Sequence, residues 1–443
     1  MFLETVATAG LYVTREASMM RKTLALAVVL VLCAGCGRKP AGKEAKKAVK
    51  ETAVKEAPPP EPGGGLGGGP LPSILVVQSQ FVEKDGKPTP GPARLDIVQR
   101  TGQQWREVIV EDLESNVFHK AMAFTMPDGR SGILTVGAMR AILRFWWWDK
   151  GWRSEKLWET SFGGKFDRLR DLEIGDVNGD GKDELVIATH DQGVVAVLSR
   201  DGKAWKVDEV DRAADTFVHE IEIGDVDGDG RKEFFATPSM PNVVGKSQSG
   251  EVVMFEWDGD KYAKTVVEKH AARHVKEILA ADLDGDGKAA LFSVVEAEIE
   301  KVAGVNRIAK PVEIHEIDLS TPTPSIRTIA TIEDAQCRFL AWGDVDGDGR
   351  SEMVAAAMKT GLWLLRQAGE SWTATSFDPD SSGYEHATVV ADLDGDKVAE
   401  VYVAADDQKE LRRYVWKNGA LARETIVPLP PDVITWNLMP AIL

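Results

Sequence analysis

Five short acidic segments recur along this chain: Asp176 to Glu184 (DVNGDGKDE), Asp225 to Glu233 (DVDGDGRKE), Asp282 to Ala290 (DLDGDGKAA), Asp344 to Glu352 (DVDGDGRSE) and Asp392 to Glu400 (DLDGDKVAE). Their oxygen-bearing side chains stand at positions 1, 3, 5 and 9, a pattern that suits a hard cation. Calcium takes six to eight oxygens at about 2.3–2.6 Å, and a tightly turning loop can aim such a set at one point. The candidate ligands are Asp176, Asn178, Asp180 and Glu184; Asp225, Asp227, Asp229 and Glu233; Asp282, Asp284 and Asp286; Asp344, Asp346, Asp348 and Glu352; and Asp392, Asp394, Asp396 and Glu400. The main-chain carbonyl at position 7, from Lys182, Arg231, Lys288, Arg350 or Val398, would supply a further oxygen. Glycines at positions 4 and 6 free the turn to adopt positive φ.

The five loops are not equivalent. The third has Ala290 where the closing carboxylate should stand. The fifth keeps all four acids but has Lys397 in place of the second glycine, at a cost of about 1 kcal/mol if that position needs positive φ. Loops one, two and four are complete. An EF-hand begins in the same way, but it needs a bidentate Glu at position 12 and flanking helices. Position 12 here is Ile187, Ala236, Ser293, Ala355 or Val403, inside segments that read as strands, so the EF-hand is excluded.

The elements that must hold these loops are strands. In the second unit FVHEIEIGD precedes the loop, EFFATP follows it, and EVVMFEWDG and YAKTVVEK complete a set of four with half-buried alternation. This loop-then-strand unit resembles the FG-GAP or VCBS-type repeat, including the calcium-binding blades of integrin alpha-subunit propellers. The resemblance covers residues 71 to 443 and implies an all-β chain, a seven-bladed β-propeller of four-stranded antiparallel blades. First strands are expected near Val117, Arg168, Phe217, His274, Cys337, Tyr384 and Val433. The unit at Val117 has lost its metal acids. The chain enters mid-blade at SILVVQSQ, so VITWNLMPAIL at the C-terminus should supply the missing strand and hide the open edge. An open solenoid is the alternative, and it would not need a split blade. The turns SRDGKAW, EWDGDKY, RQAGESW and WDKGW each carry an aromatic, which fits a packed hairpin; they also resemble the Asp-box of sialidase-type propellers, one residue short.

The domain organisation follows. Residues 1–36 hold a signal region, in which Met20, Arg21 and Lys22 precede TLALAVVLVLCAGC; the true start is expected at Met19 or Met20. Ending in Ala34-Gly35-Cys36, it resembles a bacterial lipoprotein signal, which implies lipidation at Cys36 and anchoring to an envelope membrane, although Cys33 stands where that family has Leu. Ordinary secretion is the other reading. Residues 37–72 are a Lys-, Pro- and Gly-rich linker too poor in apolar residues to fold, and 73–443 form the propeller. Cys337 is the one cysteine there, so metal rather than disulfide would staple the blades. The net charge is −17, and eighteen Asp or Glu at ligand positions match that excess. Such acidity argues against nucleic acid as a partner.

Six residues before each first Asp stand Arg170, His219, Lys276, Arg338 and His386, and His119 joins them when the decayed loop is counted one residue shorter. At about 3.3 Å per residue they lie roughly 20 Å of strand from the metal, at the mouth of the channel, with Trp436 or Thr435 in the closing blade's place. They could bind an anionic or sugar ligand, or they could hold neighbouring blades together through acids such as Glu220 or Glu385. No nucleophile elbow, zinc-helix signature or dinucleotide loop is present. The expected function is a calcium-stabilised, non-catalytic, envelope-tethered binding module for protein or glycan. A calcium-dependent polysaccharide lyase-like enzyme, and a scaffold subunit of an envelope complex, are the alternatives.

Overall fold

A computed structural model describes residues 71–443, apart from 165, 203 and 242–247. The signal region, Cys36 and nearly all of the linker therefore lie outside the described residues. Among those described there is no helix, and seven four-stranded antiparallel sheets follow one another. We number them as blades 1 to 7. Their innermost strands are Phe118–Thr125, Leu169–Gly175, Phe217–Gly224, Val275–Ala281, Cys337–Gly343, Thr388–Ala391 and Val433–Ile442. The last of these pairs with Pro72–Lys84, so blade 7 joins the two ends of the propeller, with Ile74 opposite Pro440 and Val77 opposite Asn437.

Burial explains the strand order. Second strands such as ELVIAT, EMVAAA and EVYVAA are buried at every residue and almost entirely apolar after their opening Glu, as a strand sandwiched between neighbouring blades must be. Outermost strands such as Ala204–Arg212 alternate between half-buried and exposed, because solvent covers one face. Seven apolar clusters form the core, and each is shared by two adjoining blades. Val354 and Leu364 of blade 5 pack with Val403 and Tyr414 of blade 6, while Leu75 and Leu95 of blade 7 pack with Phe118 and Trp146 of blade 1. Seven blades in an open row would share six such seams. Seven seams leave no end free, which excludes the solenoid.

Two local features depart from the repeat. Thr388–Ala391 begins four residues after Tyr384, past a bend at Tyr384 and Glu385 and a left-handed backbone at His386, φ +59°. Blade 4 carries an additional exposed hairpin, Glu298–Val302 with Val305–Lys310, between its second and third strands. Its turn is made by Ala303 and Gly304, both at positive φ.

Candidate metal centres and the central channel

Each acidic loop links the innermost strand of a blade to its second strand, and its first Asp organises the turn. Asp225 Oδ1 accepts the Gly228 N–H at 2.7 Å and its Oδ2 accepts the Gly230 N–H at 2.9 Å. The same pair of bonds recurs at Asp176, Asp282, Asp344 and Asp392. Asp at position 5 in turn accepts the N–H of Lys182, Arg231, Lys288, Arg350 or Val398. Carboxylate oxygens of Asp225, Asp227 and Asp229 lie within 4.8 Å of one another, as do those of Asp282, Asp284 and Asp286, of Asp344, Asp346 and Asp348, and of Asp392, Asp394 and Glu400. The donor set is all oxygen and converges, so the residues fit a calcium ion.

The closing carboxylates are buried at the base of the loops. Glu184, Glu233, Glu352 and Glu400 accept the N–H of Val177, Val226, Val345 and Leu393 at 3.0–3.3 Å. Burial pushes Glu184, Glu233 and Glu352 up to about 7, and the neighbouring Asp carboxylates push in the same direction. Two loops also tie to the next blade, through Ala289 N–H on Asp225 O at 2.7 Å and Ala399 N–H on Asp344 O at 2.8 Å. Guanidiniums reach two of the loops: Arg366 stands 2.9 Å from Asp346 of loop four, and in loop five Arg100 stands 2.9 Å from Asp394 and Arg413 3.2 Å from Glu400. In loop five two guanidiniums thus set positive charge against the carboxylates. Lys397 there has φ +73°. At loop three, a cavity of about 210 Å³ lined by Asp284, Asp286, Ala290, Glu316 and Trp372 occupies the place of the missing carboxylate.

The cationic positions at the other end of the innermost strands fall on breaks in strand register. Pairing skips at His119 and Lys120, at Arg170, at His219 and Glu220, at Lys276, and at Arg338 and Phe339. In blade 7 it skips Trp436. A bulge re-aims the extra residue, and acids of the preceding blade cap the freed backbone. Asp171 accepts Ile221 N–H at 2.6 Å and Glu277 accepts Leu340 N–H at 2.8 Å.

The bulged side chains meet across the ring. Arg170 of blade 2 and Arg338 of blade 5 both bond to Glu385, which precedes blade 6, and Glu296 holds Arg338 at 3.1 Å and Lys276 at 3.5 Å. Arg170 lies 5.5 Å over the Trp436 ring, and Arg338 4.7 Å over Tyr384. His119 donates from Nδ1 to Leu169 O at 2.8 Å and packs edge-on to Trp436. His219 packs edge-on to His190. Burial, with Arg170, Lys276 and the other nearby cations, holds His119 and His219 well below the usual histidine range. Burial and Arg338 push Lys276 down to about 8 against the pull of Glu296.

His386 stands apart from this set. Its Nδ1 donates to Ala357 O at 2.7 Å and its Nε2 pairs with Ser381 Oγ at 2.8 Å. Burial holds this neutral imidazole down at about 4. Five of the six cationic positions and Trp436 thus lie at the bulges, and His386 serves a seam between blades.

A family profile described as an FG-GAP-like repeat matches residues 176–236 and 344–403, which contain loops one, two, four and five. The chain is a β-propeller that carries FG-GAP-like repeats. Among solved structures, the FG-GAP propeller is similar to a protein of Bacteroides fragilis provisionally assigned as a 6-phosphogluconolactonase, at 11% identity and TM-score 0.51, covering 84% of this chain and 98% of that one. It is also similar to the periplasmic gluconolactonase of Pseudomonas aeruginosa, at 13% identity and TM-score 0.50, over 84% and 100%. At that identity the likeness speaks for the fold alone. No curated protein matches the propeller.

Spacing alone did not mark the second layer of the channel. One to three residues beyond the cationic positions, Lys120 meets Asp171 at 2.9 Å, touches Glu173 and lies 3.8 Å from Glu220. The signal was the acid directly following each cation in Arg170-Asp171, His219-Glu220 and Lys276-Glu277. It became legible once the bulges were known, because a bulge lets two consecutive residues leave the pleat.

Proposed function

We propose that the chain is a calcium-stabilised binding module, exported and tethered to a bacterial envelope membrane through a lipid on Cys36, that presents a propeller face to a protein or glycan ligand. The convergence of all-oxygen donor sets in loops that join successive strands and, twice, successive blades carries this reading. Calcium bound there would neutralise carboxylates that burial and mutual repulsion otherwise disfavour. Loops one, two and four would hold it through Asp176, Asn178, Asp180 and Glu184, through Asp225, Asp227, Asp229 and Glu233, and through Asp344, Asp346, Asp348 and Glu352. A non-catalytic role is supported at the channel mouth, where Arg170, Arg338 and Lys276 are committed to Glu296 and Glu385 and the histidines are buried and neutral.

Chelation tests the reading. Each saturated site adds about 2.7 kcal/mol when free calcium is 100-fold above its Kd, so EDTA should lower the melting temperature and calcium should restore it. Indifference of the melting temperature to chelator would sink it.

A further inference from the structure

Behind the mouth, toward the acidic loops, lies a cavity of about 280 Å³ with two unlike walls. Blades 2 to 4 contribute Glu173, Glu220, Glu222 and Glu277, with Asp171 beside them and Lys120 as the one cation in the lining. Five carboxylates against one ammonium leave a formal charge of −4 if all are ionised. Lys120 is taken up by Asp171 and Glu173, with Glu220 at 3.8 Å. Glu222 has no ion pair among the described residues, and its one contact with a donor, Ala280 N–H, is long at 3.4 Å. Burial and mutual repulsion push Glu220, Glu222 and Glu277 well above the usual carboxylate range.

The opposite wall, from blades 5 to 7, is apolar: Phe339, Trp342, Val389, Leu438 and Met439. Two polar side chains interrupt it, Asn437 and Thr388, whose hydroxyl donates to His386 O at 2.9 Å. Asn437 is only 8% exposed, lines the same cavity, and its Oδ1 has no hydrogen-bond partner. A buried acceptor left without a donor costs about 1–3 kcal/mol, so it marks a place where a donor belongs.

We propose that this cavity binds a small organic cation, a primary ammonium or guanidinium group on an apolar body, with Glu220, Glu222 and Asn437 accepting from the head and Phe339, Trp342 and Met439 packing on the body. A hard metal ion would require six to eight oxygens around one point, whereas here the acids occupy one side and aromatic carbon the other. An ammonium brings three donors and no acceptor, and its alkyl or aryl part suits the remaining wall. The volume suits a ligand of a few heavy atoms rather than a polymer.

The inference rests on reading the chain as a binding propeller and gives that propeller a ligand class. Its test is calorimetric titration of the calcium-saturated full-length chain with hexylammonium, butylammonium and hexanol. Hexylammonium should bind, hexanol should bind at least tenfold more weakly, and each methylene removed should weaken the amine about fourfold. Glu222→Gln should weaken hexylammonium at least tenfold while keeping the melting temperature, since it removes a repelled carboxylate. Trp342→Ala, at a partly exposed position, should weaken it several-fold. Equal binding of hexanol, unchanged binding in Glu222→Gln, absence of amine binding, or competitive displacement by excess calcium would each overturn the proposal. Chelator sensitivity is read separately, so a protein stabilised by calcium that ignores amines loses this inference alone.

Discussion

Lys397 holds a backbone conformation that glycine holds in the other four loops: φ is +73° there, against +82°, +87°, +91° and +89° at Gly181, Gly230, Gly287 and Gly349. A side chain in that region is strained by about 1 kcal/mol or more, part of which glycine returns as unfolded-state entropy. Lys397→Gly should therefore stabilise the protein by about 0.5–1 kcal/mol, seen as a higher urea midpoint. A second residue-scale prediction concerns Glu268, which accepts from His270 Nε2 at 2.7 Å, from His315 Nδ1 at 2.6 Å and from Ser293 Oγ. Burial works against its charge, but the three donors win and bring it from 4.5 down to about 2. A folded-state value below the unfolded one gives stability that is present above pH 4.5 and lost as pH falls toward 2. Glu268→Gln should cost roughly 3 kcal/mol at neutral pH, and denaturant titrations should show the two proteins converging in acid.

Among the elements, loop five has its carboxylates paired with guanidinium groups from two blades. Arg100 comes from the third strand of blade 7, is 7% exposed, and lies 2.9 Å from Asp394 and 3.5 Å from Glu400. Removing one partner of a buried pair costs about 3–5 kcal/mol because the remaining charge is stranded. Arg100→Gln should therefore destabilise the chelated protein more than the calcium-saturated one, widening the EDTA-induced drop in melting temperature. An equal drop in wild type and variant would show that loop five takes no metal even when freed. The loops themselves were legible because their chemistry is local: nine consecutive residues contain both the acids and the glycines that fold them. Arg100 was not, since it stands almost 300 residues before the acids it neutralises and only ring closure brings it there. The bulges were hidden for a different reason. One extra residue in a strand leaves the apolar pattern on either side intact, so His119 and Lys120, or His219 and Glu220, read as ordinary alternation.

For the molecule as a whole, the blade count and the split blade followed from the spacing of the loops, while the convergence of Arg170, Arg338, Glu296 and Glu385 did not, because it depends on which blades face one another. The ring makes the C-terminal strand structurally central. Val433–Ile442 completes blade 7, and its Leu438 and Ala441 belong to the two apolar seams that flank that blade. Deleting residues 433–443 would strip both seams of an innermost strand and bare the edge of the N-terminal strand between Ser73 and Gln80. An unpaired apolar edge recruits other chains, so the truncated protein should lose its cooperative melt and associate, and a peptide of residues 433–443 added in trans should restore the monomer. Deletion of the blade 4 hairpin, residues 298–310, is the matched control of similar length. Its second strand is exposed throughout and it forms a sheet of its own, so the melting temperature should change little. If both deletions melt alike, near the full-length value, closure contributes nothing to stability; a selective loss in the first identifies the ring, rather than the single blade, as the unit that folds.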